Sequence, residues 1–182
     1  IMIIAVLKYM FLLSLNIIAN LIGLILNPFV VLFANEYGWL PNWLRWFQTP
    51  DNSLYGDKGW QTEHFLWLRR VSYLKKVLWL YRNNVHGFST NVLGFDVKEG
   101  YIYKHWGNES VSNRPLANGI IYRKIVNGDG KTYFQWYWVK AWSKTRCIRV
   151  NLGWKLWNIK DRSEQTCQFV FSPAISMGYS IV

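Results

Sequence analysis

From Tyr9 to Ala34 the chain carries no charged residue, and most side chains in that run are Leu, Ile, Val or Phe. An uncharged apolar stretch longer than ~18 residues reads as a transmembrane helix. Residues 1–35 hold a single charge, Lys8. As one continuous helix they would extend roughly 52 Å, more than the ~30 Å hydrocarbon core of a bilayer. The segment must therefore tilt, emerge into the headgroups or break. Asn27-Pro28 is the expected break, because proline lacks a backbone N–H and disfavours helix in the residue before it. A secretory signal peptide fits poorly. There is no basic n-region, the apolar stretch outruns an h-region, and no small-x-small cleavage motif follows. The expectation is an uncleaved hydrophobic anchor over residues 1–35.

The polar residues inside this run are ordered. Asn16, Asn20, Gly23 and Asn27 are spaced 4, 3 and 4 apart, which puts them on one helical face. An amide in lipid is costly unless paired, and glycine lets backbones approach closely. The face is either a packing seam, against a second copy or another membrane protein, or a set of amides satisfied within the chain. Of the 21 Lys and Arg, only Lys8 lies in the apolar segment; the nearest that follow are Arg45 and Lys58. The positive-inside rule then puts the C-terminal body on the cytoplasmic side.

Charged residues are 17% of the chain, below the ~25% of an ordinary globular protein, and aromatics are 18%. So much Trp, Tyr and Phe demands burial and excludes a disordered tail. Two cysteines, Cys147 and Cys167, exclude a disulfide-dense scaffold, and three scattered histidines give no metal pattern. No cofactor is expected.

Residues 36–60 form an aromatic neck. Trp39, Trp43, Arg45 and Trp46 directly follow the apolar span and resemble the aromatic belt of a membrane interface. Pro41 suits the start of a short helix over 42–47, lying flat in the headgroups. Thr49-Pro50-Asp51-Asn52 and Gly56-Asp57-Lys58-Gly59 are turn sequences. Asp51, Asp57, Glu63 and His64 crowd into a short stretch that could hold a divalent cation or serve as acid and base. As a calcium loop starting at Asp51 it fails, with Ser53, Tyr55 and Thr62 at positions that need acidic or amide ligands. Turn and N-cap roles are favoured for Asp51 and Asp57.

Residues 61–82 have no Pro or Gly, and the spacing of Trp67, Val71, Leu74, Leu78 and Tyr81 predicts a helix with one apolar stripe. It carries Arg69, Arg70, Lys75, Lys76 and Arg82, and no acid lies between Glu63 and Asp96. A basic amphipathic helix bearing Trp reads as a membrane-surface helix, with an anionic bilayer as its partner. The alternatives are a helix packed on the C-terminal sheet with solvated bases, or one bound to nucleic-acid phosphates. With an anchor immediately upstream, lipid is the nearest polyanion and nucleic acid ranks last. His86 reads as a helix-end residue, and 88–95 as a loop or short strand.

Over residues 96–182 the period becomes strand-like. Gly119–Val126 and Lys131–Val139 flank Asn127-Gly128-Asp129-Gly130, a strong hairpin signal because Asn-Gly and Asp-Gly supply positive φ. The whole segment predicts five to seven antiparallel strands. Strand 131–142 is aromatic on both faces and so central, with the basic helix as the expected cover on one side. Seven bases against one acid between Tyr137 and Arg162 keep single-stranded nucleic acid as a minor alternative. Cys147 and Cys167 are expected on neighbouring strands as free buried thiols.

The fold class is thus α+β: a transmembrane or interfacial helix, a basic amphipathic helix, then an antiparallel sheet. The organisation is anchor 1–35, neck 36–60 and body 61–182, with its helix at 61–82 and its sheet at 96–182. The run Trp43-Leu-Arg-Trp-Phe-Gln-Thr-Pro-Asp-Asn52, with Gly56-Asp57-Lys58-Gly59-Trp60, Tyr81-Arg-Asn83, Gly87-Phe88 and Val92-Leu-Gly94, resembles a family of uncharacterised tailed-bacteriophage and prophage proteins. The resemblance implies a phage gene product, a bacterial host and the host inner membrane; it implies no activity. The functional expectation is a non-enzymatic, membrane-anchored protein acting at the host envelope. A virion structural component, its apolar segment packed in a protein assembly, is the first alternative. A membrane-bound enzyme using the acidic cluster is the second.

Overall fold

A computed structural model describes residues 2–63, 72–157, 159 and 166–177. The fold is α+β, as expected. Helix α1 (Met2–Val30) continues into a 3-10 turn at Val31–Phe33. A second 3-10 turn (Asn42–Leu44), α2 (Lys58–Glu63), α3 (Ser72–Arg82) and a π-helix (Phe88–Val92) come next. Among the described residues, nine strands follow: β1 (Phe95–Asp96), β2 (Ile102–Gly107), β3 (Ser112–Asn113), β4 (Leu116–Ala117), β5 (Gly119–Val126), β6 (Thr132–Ala141), β7 (Arg146–Trp154), β8 (Thr166–Cys167) and β9 (Phe169–Met177). The chain divides into two compact units, Ile1–Phe11 with Gly94–Val182, and Leu12–Leu93.

In the first unit, five strands form one antiparallel sheet in the order β2-β5-β6-β7-β9. β1 with β8 and β3 with β4 make two small ribbons. The β5–β6 hairpin turns where the sequence places it. Asn127 N–H donates to Lys131 O at 2.8 Å, Gly130 N–H donates to Asn127 O at 2.8 Å, and Gly130 takes a φ of 78°. The buried Asn127 side chain ties this turn to β1, accepting from Lys98 N–H at 2.7 Å and donating to Asp96 O at 3.0 Å.

β6 is the central strand, and the first turns of α1 belong to its unit. Tyr9 packs on Phe134, Trp154 and Phe169 with ring centroids 5.0–5.8 Å apart, and its hydroxyl donates to Val170 O at 3.2 Å. The Lys8 ammonium lies 4.5 Å from the Tyr133 ring centroid. The basic helix is not in this unit: α3 groups with the neck and the rest of α1. Within this unit, Tyr9 and Lys8 of α1 supply the contacts with the aromatic side chains of the sheet.

Cys147 and Cys167 are free and fully buried. They are not on neighbouring strands, because β7 pairs with β6 and β9 whereas β8 pairs with β1.

In the second unit the neck folds around one buried amide. Gln48 accepts from Leu40 N–H at 2.9 Å and donates to Asn52 O at 2.9 Å and Gly38 O at 3.4 Å. Both ends of an amide that burial strips of water thus have backbone partners. Phe47, Leu44, Leu54 and Leu80 bury together with the Trp60–Trp79 pair, 5.5 Å apart. A side chain on Gly87 would strike the carbonyls of Arg45 and Gln48, so only glycine lets Phe88 N–H reach Trp46 O, at 2.7 Å.

Two local expectations are corrected. The buried side of α3 is Val77, Trp79 and Leu80, whereas Leu74 and Tyr81 are exposed; the neck residues Leu44, Phe47, Leu54 and Trp60 share the cluster that buries this face. The 88–95 segment is mostly the π-helix rather than a loop or strand.

Candidate functional site

The candidate site is α1 itself, whose two faces are inverted relative to a soluble amphipathic helix. In the second unit its buried stripe is Asn16, Ala19, Gly23, Asn27 and Val30. This is the Asn/Gly face recognised by spacing, and its partner lies in the same chain. Asn84, just past α3, donates to Asn20 O at 2.8 Å and to Asn20 Oδ1 at 3.1 Å. Asn27 donates to Asn84 Oδ1 at 3.0 Å. Asn20 donates to Asn16 O at 2.8 Å. Gly23 is where Asn84 and Val85 approach, and a side chain there would overlap both.

Asn84 is aimed by a strained turn. Val85 is fully buried with a φ of 43°, a conformation costly for a β-branched residue and sustained only where the surroundings enforce it. The turn follows the last residue of α3, Arg82, and directs Asn84 and Val85 onto Gly23.

Pro28 does not break α1, contrary to expectation. It has no N–H to give the carbonyl four residues back, that of Leu24, and the Tyr81 hydroxyl donates to that carbonyl at 3.1 Å. The Tyr73 hydroxyl donates to Pro28 O at 2.8 Å. The Tyr81 side chain of α3 thus stands in for the missing helical donor, the device that lets proline persist inside apolar helices.

The opposite face of α1 is bare. Leu21, Leu24, Ile25, Phe29 and Leu32 point away from the protein, with Ile25 69% exposed. Only 22% of the most apolar stretch of α1 is buried. Phe33 and Trp43, both exposed, meet edge-to-face at 5.5 Å and extend this surface onto the neck. Beside it an apolar groove of about 420 Å³ is lined by Leu15, Ile18, Ile22, Trp46, Phe88 and Val92.

The other anticipated interface residues divide. Trp39 is half-buried beneath the Arg45 guanidinium, 5.9 Å from its ring centroid, and Arg45 is exposed. Trp46 packs between Phe47 and Phe88. Lys75 is half-buried, and Lys76 lies 4.6 Å from the Tyr55 ring centroid. Arg69 and Arg70 lie outside the described residues, as do Trp67, Val71 and His64.

Of the acidic stretch, Asp51 is exposed in its turn, and Asp57 caps α2 by accepting from Trp60 N–H at 2.7 Å. The Glu63 side chain is outside the description. Among the described residues no three His, Cys, Asp or Glu gather as a metal-binding group. What α1 offers is an apolar surface with an aromatic border at Phe33 and Trp43.

Sequence reasoning missed Asn84, Tyr73 and Tyr81 as partners of α1. The usable signal was pairing: orphaned amides and a proline in an apolar helix need donors, and the hydroxyls and amides of 73–84 recur at helical spacing. It also missed a polar chain inside the sheet. Buried Arg123 donates to Gln135 Oε1 at 3.1 Å, Leu156 N–H donates to the same oxygen at 3.2 Å, and Gln135 donates to Asn151 Oδ1 at 2.9 Å.

The chain matches the model of a family of unknown function (DUF7338) over residues 1–180. No curated protein and no solved structure matches it.

Proposed function

The chain belongs to this family of unknown function, and we propose that it is a non-enzymatic phage protein held on the bacterial inner membrane, with its basic, aromatic-rich body on the cytoplasmic side. The single observation behind this reading is the inversion of α1: amides inside, Leu, Ile and Phe outside. Monomeric soluble proteins rarely leave contiguous apolar surface of this kind uncovered. The aromatic pair Phe33–Trp43 at its border and the net charge of +11 suit an anionic bilayer. The phage assignment and the cytoplasmic side rest on the motif resemblance and on the Lys/Arg asymmetry.

Carbonate extraction of membranes from cells expressing the full chain tests this. Retention in the pellet is the expected result. Release into the wash would instead favour the second reading, a virion component whose apolar face packs on protein, for which the same bare face is the supporting observation. Mass spectrometry of purified particles then decides between them.

A further inference from the structure

Taking membrane association as given, we infer that α1 lies side-on in one leaflet and does not cross the bilayer. The inference rests on that reading and specifies its geometry. A helix that crosses needs ~30 Å of its length free to meet lipid or other membrane-embedded elements. No such length of α1 is free all round, because one stripe of it is buried. In the first unit Ala5 and Tyr9 are buried, Tyr9 against the aromatic end of the sheet. In the second unit Asn16, Ala19, Gly23, Asn27 and Val30 are buried, with Asn20, Gly23 and Asn27 against Asn84. The longest interval between buried positions, Tyr9 to Asn16, is only about 10 Å of helix at the standard rise.

Beside the apolar core that Ala19 and Val30 share with Leu44, Phe47 and Val85, the buried stripe meets polar groups of α3 and of the turn after it. α3 is fastened to α1 through Tyr73 and Tyr81, and between and beside those tyrosines it carries Lys75, Lys76 and Arg82. A crossing α1 would draw these cations toward the hydrocarbon, where Lys and Arg are rare and costly. Side-on, the same residues become assets. The free face enters the acyl region, the half-exposed Tyr73 and Tyr81 sit at the border, and the bases meet anionic headgroups. The occupant of the bare face is therefore one leaflet of an anionic bilayer.

The test is a depth profile of the full chain on vesicles of phosphatidylethanolamine and phosphatidylglycerol. A fluorophore is placed through single substitutions Leu7→Cys, Ile17→Cys, Ile25→Cys or Leu32→Cys, all on the exposed face, with Ser143→Cys on the body as control. The native thiols are fully buried and do not compete. Quenchers sit at the headgroup, upper acyl chain or bilayer midplane. The expected result is upper-chain quenching of all four positions within about twofold of one another, with the control unaffected. Preferential midplane quenching at Ile17, with Leu7 and Leu32 quenched near the headgroups, would overturn the side-on geometry while leaving membrane association intact. Vesicles that fail to bind the protein at all would overturn both.

Discussion

The Tyr81 hydroxyl donates to the carbonyl of Leu24 at 3.1 Å, the carbonyl that Pro28 leaves without its helical donor. Tyr81→Phe should therefore destabilise the fold by about 1 kcal/mol, the usual net worth of one intramolecular hydrogen bond. The cost should shrink in a Pro28→Ala background, where the substituted residue has a backbone N–H to give the same carbonyl. Denaturant unfolding of the four variants in detergent reads this coupling directly. Equal costs in both backgrounds would mean that Tyr81 acts through packing alone.

Asn84 holds α1 at two points, Asn20 and Asn27. Asn84→Ala leaves the Asn27 amide without that acceptor and Asn20 Oδ1 without that donor, and about 1–3 kcal/mol should be lost for the buried Asn27 amide, less for the half-buried Asn20. Gly23→Leu should be comparably harmful for the opposite reason, overpacking against Asn84 and Val85. Thermal unfolding monitored by tryptophan fluorescence checks both, and a neutral Gly23→Leu would contradict the close approach.

Inside the sheet, Gln135 couples a buried cation to the strand beyond it. Gln135→Leu removes the acceptor of Arg123 and the donor to Asn151, and should cost about 2–3 kcal/mol because one partner is charged. Adding Arg123→Met should recover part of that loss, since an apolar pair strands no charge. Denaturation midpoints of the single and double variants provide the comparison.

Burial pushes the Cys167 thiol from its ordinary 9.0 up to about 12, with the Asp96 carboxylate adding to the effect. Between those pH values the unfolded chain has released a proton that the folded chain still holds. Stability is thus fully present below about pH 9 and should fall as pH rises toward 12. Burial also raises Tyr122, Tyr133 and Tyr137, which add to the same decline. Cys167→Ala should flatten the slope of stability against pH without abolishing it, as followed by urea titrations across the alkaline range.

Elements whose logic is local were legible in the chain. The β5–β6 hairpin follows from Asn127 to Gly130, and the Asn/Gly face of α1 follows from helical spacing. What could not be read was which partner each face would choose. Pro28 looked like a break because its rescue comes from Tyr81, fifty-three residues away in sequence. The stripe Leu74, Leu78 and Tyr81 looked like the buried side of the basic helix because periodicity alone marks apolar positions. The neck instead buries Val77, Trp79 and Leu80, and the Tyr81 hydroxyl is taken by α1. The acidic residues at 51–64 looked like a cluster because they are close in sequence. Asp57 is committed to capping α2, and Asp51 is exposed in a turn.

The bare face of α1 carries the functional reading, so it should be altered without touching the buried stripe. Leu21→Glu with Ile25→Glu changes two exposed side chains one helical turn apart. Co-flotation with phosphatidylglycerol-containing vesicles, alongside circular dichroism as a check on folding, is the decisive comparison. The native chain should rise with the vesicles, and the doubly substituted chain should stay folded and remain at the bottom of the gradient. A folded double variant that floats as well as the native chain would contradict membrane binding through this face.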